Sequence, residues 1–503
     1  MNKKITGILL LFIALLLFCF FKYRRFILLN YTDWDLDIFL QLSSSWIDGR
    51  PFMYENVYGY NGNIHNNYLL LLLGPFIYLF GAYALFVAQT VLLIVSYTAL
   101  LIKLFNRKIN VILITGIILV LLLSPIWLWF NDDAPIGFHP ELFYLPCSIL
   151  FVLALNQNNK YVFVIAAIGV VLIKEDGAIL GCLLHLTYFI LKSVSEKKEG
   201  LFLLLKDKTF WKKIFSWIGV FVGGMFLLSF KNHNWEPEPR LGKAFQLLYS
   251  EVFNKQFLIQ HLILFSKMLL LLLPSSCILI YLLAQQKFIA CCQILLIYCT
   301  GIILITILNI VEGSFYLKEP YFEKVSLVWP PRFVLVYSYT TAFILIYLLV
   351  NYQNAPSSRW IQLALFSILW LVQIPITYLS PRYYPSIEIL LKETFQGRYS
   401  FNPSLINTAD LLAIKKIERA LPKRSDIFTS TLIKPIFHQH YNVFLTGHHY
   451  KKAKIAIISK TDEGRVLDKI PLQKPYQRFS LETYFIYATP DYQQYIKPYI
   501  KYE

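Results

Sequence analysis

The sequence predicts an all-α polytopic membrane protein of about eleven transmembrane helices, with a large first external loop and a small C-terminal α/β domain. Three observations carry that expectation. Of 503 residues, 57% are hydrophobic and only 15% charged. Membrane-length apolar runs recur as far as residue 379, and basic residues cluster between them. A soluble chain has no core able to absorb so many such runs. The formal net charge of +17 is assigned to cytoplasmic loops beside anionic lipid. No soluble basic module with a recognition motif is present, so nucleic acid is not an expected partner.

The expected spans are 5–28, 82–105, 109–130, 141–156, 160–174, 176–191, 214–230, 260–284, 288–310, 333–350 and 360–379. The first follows Lys3 and Lys4 and lacks a small-x-small cleavage site, so it reads as an uncleaved span with its N-terminus cytoplasmic. Three runs (141–156, 160–174 and 176–191) are short and need neighbouring helices or thinned bilayer. The run 66–81, interrupted by Gly74-Pro75, is read as interfacial. Counting it as a span would place Lys103, Arg107, Lys108, the 192–200 cluster, Lys206, Lys208, Lys212 and Lys213 outside, against the positive-inside rule. The seven cysteines all fall in apolar segments, which gives no disulfide framework and no metal-ligand spacing.

Two domains follow: a transmembrane domain over 1–379, with its first external loop at 30–81, and an extracytoplasmic α/β domain over 380–503. In the second, "NTADLLAIKKIERALP" (407–422) has helical spacing with a capping start and a closing proline. "DIFTST", "YNVFLT" and "AKIAIISK" read as short strands. The expected location is the prokaryotic plasma membrane.

Three charged stretches converge on the external side in this topology. "NYTDWDLDIFLQ" places Asp33, Asp35 and Asp37 after the first span, alternating with Trp34 and Leu36. If extended, residues two apart share a face, and mutual repulsion would raise the pKa of the most buried acid, as suits a general base. "NDDAPIGFHPE" brings His139 and Glu141 to the top of a span, with Pro140 suited to a first helical turn. "KED" (Lys174, Glu175, Asp176) interrupts an apolar stretch. Each also has a plainer reading: a solvated loop, a capped helix start and a turn.

These residues carry a resemblance. "D-L-x-I-F-x-Q" (Asp35 to Gln41), His65 before an apolar helix ending "P-x-x-x-L-F-G" (from Pro75), "F-H-P" (138–140) and "K-E-D" (174–176) resemble an uncharacterised, domain-of-unknown-function family of predicted polytopic prokaryotic membrane proteins. Its members are related by similarity to the GT-C glycosyltransferase superfamily. "P-x-x-x-x-I-x-T-S" (from Pro422) and "AKIAIIS" resemble the family's C-terminal segment. The chain departs at Asp37, where Gly is usual, and at Leu40, where a second acid is common. The resemblance implies a GT-C-like fold and transfer, with inversion, of a sugar from a polyprenyl-phosphate-linked donor to an extracytoplasmic glycan, lipid or protein acceptor. Asp35 and Glu175 are then the catalytic candidates. Asp37, His65, His139, Glu141, Lys174, Asp176 and Arg332 are the substrate-binding ones, with Lys174 and Arg332 as cations for the phosphate. No cofactor is demanded and no residue is assigned to a metal, although a divalent ion is compatible with the chemistry.

The rival reading is a multi-span transporter or flippase of a lipid-linked or small-molecule substrate, whose site belongs near mid-membrane between repeats. A non-catalytic partner in envelope assembly is a third. The charges gathered on one face, and the lack of a repeat, favour the enzyme. His438, His440, His448 and His449 are read as surface histidines rather than a zinc site.

Overall fold

A computed structural model describes residues 3–27, 29, 31, 35–56, 59–60, 67–107, 109, 111–123, 137–157, 159–195, 206–231, 249, 272, 275–283, 288–314, 330–351, 406–430, 433–438, 442–444, 453–461 and 476–500. The expected span 360–379, most of 260–284, and His65, Asp33, Trp34, His440, His448 and His449 lie outside the described residues.

The chain is mostly helical. It opens with α1 (Lys3–Ile27) and α2 (Asp35–Ser44), a two-stranded ribbon β1 (Tyr54–Glu55) and β2 (Gly59–Tyr60), then α3 (Tyr68–Leu72) and α4 (Gly74–Phe80). There follow α5 (Ala82–Asn106), α6 (Val111–Leu123), a 3-10 turn at Pro140–Phe143 leading into α7 (Tyr144–Gln157), α8 (Lys160–Val171) and α9 (Gly177–Ser195). The helical part closes with α10 (Lys208–Lys231), α11 (Phe288–Ser314) and α12 (Pro330–Asn351).

Three helices among the described residues are long and apolar enough to cross a membrane: Ile5–Arg24, Ala82–Asn106 and Pro140–Gln157. Four more, Lys160–Val171, Gly177–Ser193, Ala290–Thr306 and Val334–Val350, are apolar but shorter. The expected eleven spans are therefore not confirmed among the described residues. At 12 residues, α8 rises only about 18 Å, well short of a hydrocarbon core of roughly 30 Å. The outer faces still match lipid. Leu10 in α1 is 62% exposed, and Ile165 in α8 70%; apolar side chains bared in such number belong against acyl chains.

The run 66–81 forms two short helices that meet at Leu73, too short to cross. They pack under α2. A Cβ on Gly74 would stand 2.4 Å from the Ser43 carbonyl, while the Trp46 indole donates to the Leu71 carbonyl at 3.2 Å. Inside the bundle, α1 packs on α5, α5 on α7, and α12 on both α7 and α9. One apolar core links these helices.

From residue 406 the described tail carries the expected elements and adds others. Helix α13 (Thr408–Ala420) is capped by Asn407, whose side chain accepts the Asp410 N–H. The three expected strands are β3 (Asp426–Thr429), β4 (Asn442–Phe444) and β5 (Ile455–Ser459). Two further strands, β6 (Gln477–Ser480) and β7 (Tyr484–Ala488), complete a sheet of order β4-β3-β5-β7-β6. Its β3 pairs are parallel and its β7 pairs antiparallel. Ile455 and Ile457 face α13, while Ala456 and Ile458 fill the opposite core, the alternation of a strand buried on both sides. The last helix among the described residues is α14 (Pro490–Gln493).

Candidate functional site

Asp35 and Asp37 open α2 rather than an extended stretch. That corrects the expected shared face. Two helical steps turn a side chain by about 200°, so the two acids point apart, each to its own base. Leu36 and Ile38 are buried beneath them.

Asp35 turns toward "FHPE". Gly137, at φ 89°, lets the chain bend against the Tyr31 ring. His139 then lies extended ahead of the Pro140 turn, and its side chain makes no capping bond. Its imidazole is buried between two carboxylates, Nε2 lying 3.9 Å from Asp35 Oδ2 and Nδ1 3.9 Å from Glu141 Oε2. These are ion-pair separations, longer than a hydrogen bond. Phe39 packs edge-on against both Phe138 and His139.

Glu141 Oε1 in turn accepts from Lys174 Nζ at 3.3 Å, and both residues are buried. The "KED" stretch is a turn between α8 and α9, closed by the Gly177 N–H on the Lys174 carbonyl. Asp176 starts α9, its carbonyl accepting from Ile179 and Leu180, and its carboxylate accepts the Tyr144 hydroxyl. The Leu69 N–H at the head of α3 donates to the Leu172 carbonyl beside this turn at 2.7 Å. Three distant stretches thus meet at one end of the bundle, and Asp35, His139, Glu141 and Lys174 form a line of alternating acid and base. Asp35 is its most open member, with 26% of the side chain exposed.

Asp37 faces the C-terminal domain. Its Oδ2 lies 3.0 Å from Lys434 Nζ, with both side chains buried. Burial pushes the Asp37 carboxyl above the ordinary carboxylate value, and Lys434 pulls against that shift. Gln41 and Asn56 donate to the Val443 carbonyl at 3.0 and 3.4 Å, which adds the β4 edge to the same contact.

Glu175 sits half-buried in the turn. Arg332 is in the first turn of α12, but its side chain, like the whole of His65, lies outside the described residues. Lys174, expected as a phosphate cation, has its ammonium engaged by Glu141. Among the described residues, no three His, Cys, Asp or Glu side chains are arranged to hold a metal ion.

Three participants were missed. Lys434 carried no motif. Tyr144 read as one apolar residue of a span. Lys22 was absorbed into the first span, although a lysine inside an apolar run is itself a signal. It is 4% exposed, donates to Gln89 Oε1 at 3.0 Å, and lies over the rings of Phe86 and Phe138. His438, expected at the surface, instead packs on the helical domain, its Nδ1 accepting the Ala82 N–H at 3.3 Å.

The sequence model of a family described as "Predicted membrane protein (DUF2079)" matches residues 25–478. No curated protein matches the chain significantly, and no solved structure does.

Proposed function

The chain belongs to the DUF2079 family of predicted membrane proteins, and on that premise we propose that it is an inverting membrane glycosyltransferase of GT-C type. It takes a sugar from a polyprenyl-phosphate-linked donor and gives it to an acceptor hydroxyl on the external face of the plasma membrane. The observation that carries this reading is the reachable Asp35 carboxylate, backed by the line His139–Glu141–Lys174, at the membrane end where a lipid-borne donor presents its sugar.

An acceptor hydroxyl ionises far above neutral pH, so its proton must leave as the new bond forms. Asp35 takes that proton. The acceptor oxygen bonds to the anomeric carbon from one side, and the bond from that carbon to the phosphate oxygen breaks on the other. Polyprenyl phosphate departs with the electron pair. His139 positions Asp35, while Glu141 and Lys174 hold the imidazole in place. Negative charge on the leaving phosphate calls for a cation; Lys22 beside Phe138 and Arg332 at the head of α12 are the candidates.

The test is lipid extraction and mass spectrometry of a deletion strain, with wild-type and Asp35→Asn genes returned on a plasmid. A polyprenyl-phosphate sugar should accumulate in the deletion and clear only with the wild type. No accumulated lipid-linked sugar, or clearance by Asp35→Asn, would overturn the proposal.

A further inference from the structure

A second cleft lies apart from the Asp35 line, where α1 and α5 meet α13. It encloses about 470 Å³. Its floor is apolar, with Phe26, Ile27 and Leu29 from the end of α1 and Leu421 and Ile436 from the tail domain. Its rim is basic: Lys415, Arg419, Lys423 and His438, with Glu418 as the one acid among the described lining residues.

The placement of this cleft matters. Ile5–Arg24 and Ala82–Asn106 are two of the three helices long enough to cross a membrane. The cleft begins just past the end of the first and includes Tyr83 at the start of the second. It therefore sits at the boundary where both emerge, at headgroup height. Lys415 and Arg419 are four residues apart on α13 and project from one face of it, a like-charge pair that weakens a helix on its own. Burial lowers the Lys415 pKa, and the neighbouring Arg419 lowers it further, with only partial relief from Glu418. Positive charge is held here in excess of its local acid. The wall also includes the point where the tail domain closes on the bundle: His438 stacks edge-on against Phe26 and Tyr83 at 4.9 and 5.0 Å.

We infer that this cleft binds the phosphate headgroup of an anionic phospholipid, its diester held by Lys415, Arg419 and Lys423 and its glycerol and upper acyl carbons lying on Phe26 and Ile27. The bound lipid fastens the C-terminal domain to the membrane end of α1 and α5. The inference stands independently of the transferase reading, because it uses none of the residues placed in that site.

The full-length chain, purified in a neutral detergent, is examined by native mass spectrometry with dioleoyl-phosphatidylglycerol, dioleoyl-phosphatidylcholine and inorganic phosphate in turn. Wild type should retain one phosphatidylglycerol, retain no phosphatidylcholine, and keep its lipid when phosphate is added. Each basic residue near a headgroup contributes roughly five-fold in affinity, so Lys415→Gln/Arg419→Gln should lose about thirty-fold. The charge-keeping pair Lys415→Arg/Arg419→Lys should bind as wild type does. Should the glutamine pair fail to fold, Lys423→Gln, exposed on the rim, should still cost about five-fold. Undiminished retention in the glutamine variants, equal retention of phosphatidylcholine, loss of retention in the charge-keeping pair, or displacement of the lipid by inorganic phosphate would overturn the inference.

Discussion

Lys434 Nζ stands 3.0 Å from Asp37 Oδ2, with the two side chains only 1% and 7% exposed. The first loop and the C-terminal domain, almost four hundred positions apart in sequence, are joined by this buried ion pair. Removing one partner of such a pair strands the other charge and costs about 3–5 kcal/mol, whereas an apolar pair of matching volume is often neutral or better. Lys434→Met should therefore lower the melting temperature of the purified protein sharply, because it strands the buried Asp37 carboxylate. Asp37→Leu/Lys434→Met should recover most of the loss. A double variant that melts lower than Lys434→Met would show that the pair contributes more than mutual neutralisation.

The same pair sets a pH dependence with a definite sign. The folded-state pKa of Asp37 is raised above its ordinary 3.8, chiefly by burial. Between 3.8 and that folded value the folded form holds a proton that the unfolded chain has released. Stability from this group is fully present below 3.8 and is lost as pH rises through the folded value. The difference in melting temperature between wild type and Asp37→Asn should change in that direction across the mildly acidic range. A wild-type advantage that instead grew with pH there would mean that Lys434 outweighs burial and the shift is reversed.

Gly81 closes the other side of the domain junction. Its φ of 59° is paired with ψ of −140°, and a Cβ there would stand 2.2 Å from His438 Nδ1. Gly81→Ala meets both backbone strain and a collision, so it should destabilise by more than about 1 kcal/mol. Adding His438→Ala removes the collision and leaves the strain. Thermal melting of the single and double variants should show partial recovery, and limited proteolysis should cut the tail domain faster in the single variant. A single variant as stable as wild type would mean that the junction does not close on Gly81.

Much of this was legible before any coordinates, for identifiable reasons. Apolar run length marked the helices, and Asn407 with Pro422 bracketed α13 to within a residue or two. The interruption of an apolar stretch by Lys174, Glu175 and Asp176 marked a charged turn, and the structure brings Lys174 to Glu141. What stayed hidden depends on contacts distant in sequence. The alternation of acids around Trp34 would give a shared face only in an extended chain, yet the chain is helical from Asp35, and α2 buries Asp37 and Gln41 as well as Leu36 and Leu40. The β6–β7 hairpin has no Asn-Gly or Asp-Gly signal at its turn. Instead the Asp410 carboxylate, from α13, accepts the backbone N–H groups of Glu482 and Thr483 at 3.1 and 2.6 Å. A turn held by a residue some seventy positions upstream leaves little local trace.

The two acids of α2 face different partners. Asp35 is the exposed one, facing His139, and Asp37 is the buried one, facing Lys434. If Asp35 is the base, Asp35→Asn keeps the shape of the site, and the helix start retains a polar side chain. Turnover should fall by about 10²–10⁴-fold, the usual share of a positioned base, while melting temperature and membrane insertion stay near wild type. Asp37→Asn, at the buried acid, should instead leave turnover per folded protein near wild type. His139→Gln belongs between them: it leaves Asp35 in place without its neighbouring imidazole, so it should reduce turnover less than Asp35→Asn and change the pH profile. Transfer from a polyprenyl-phosphate sugar by membranes carrying each variant, normalised to the folded protein present, measures all three. Equal loss of turnover in Asp35→Asn and Asp37→Asn after that normalisation would remove the distinction and return Asp35 to a structural role at the mouth of the first helix.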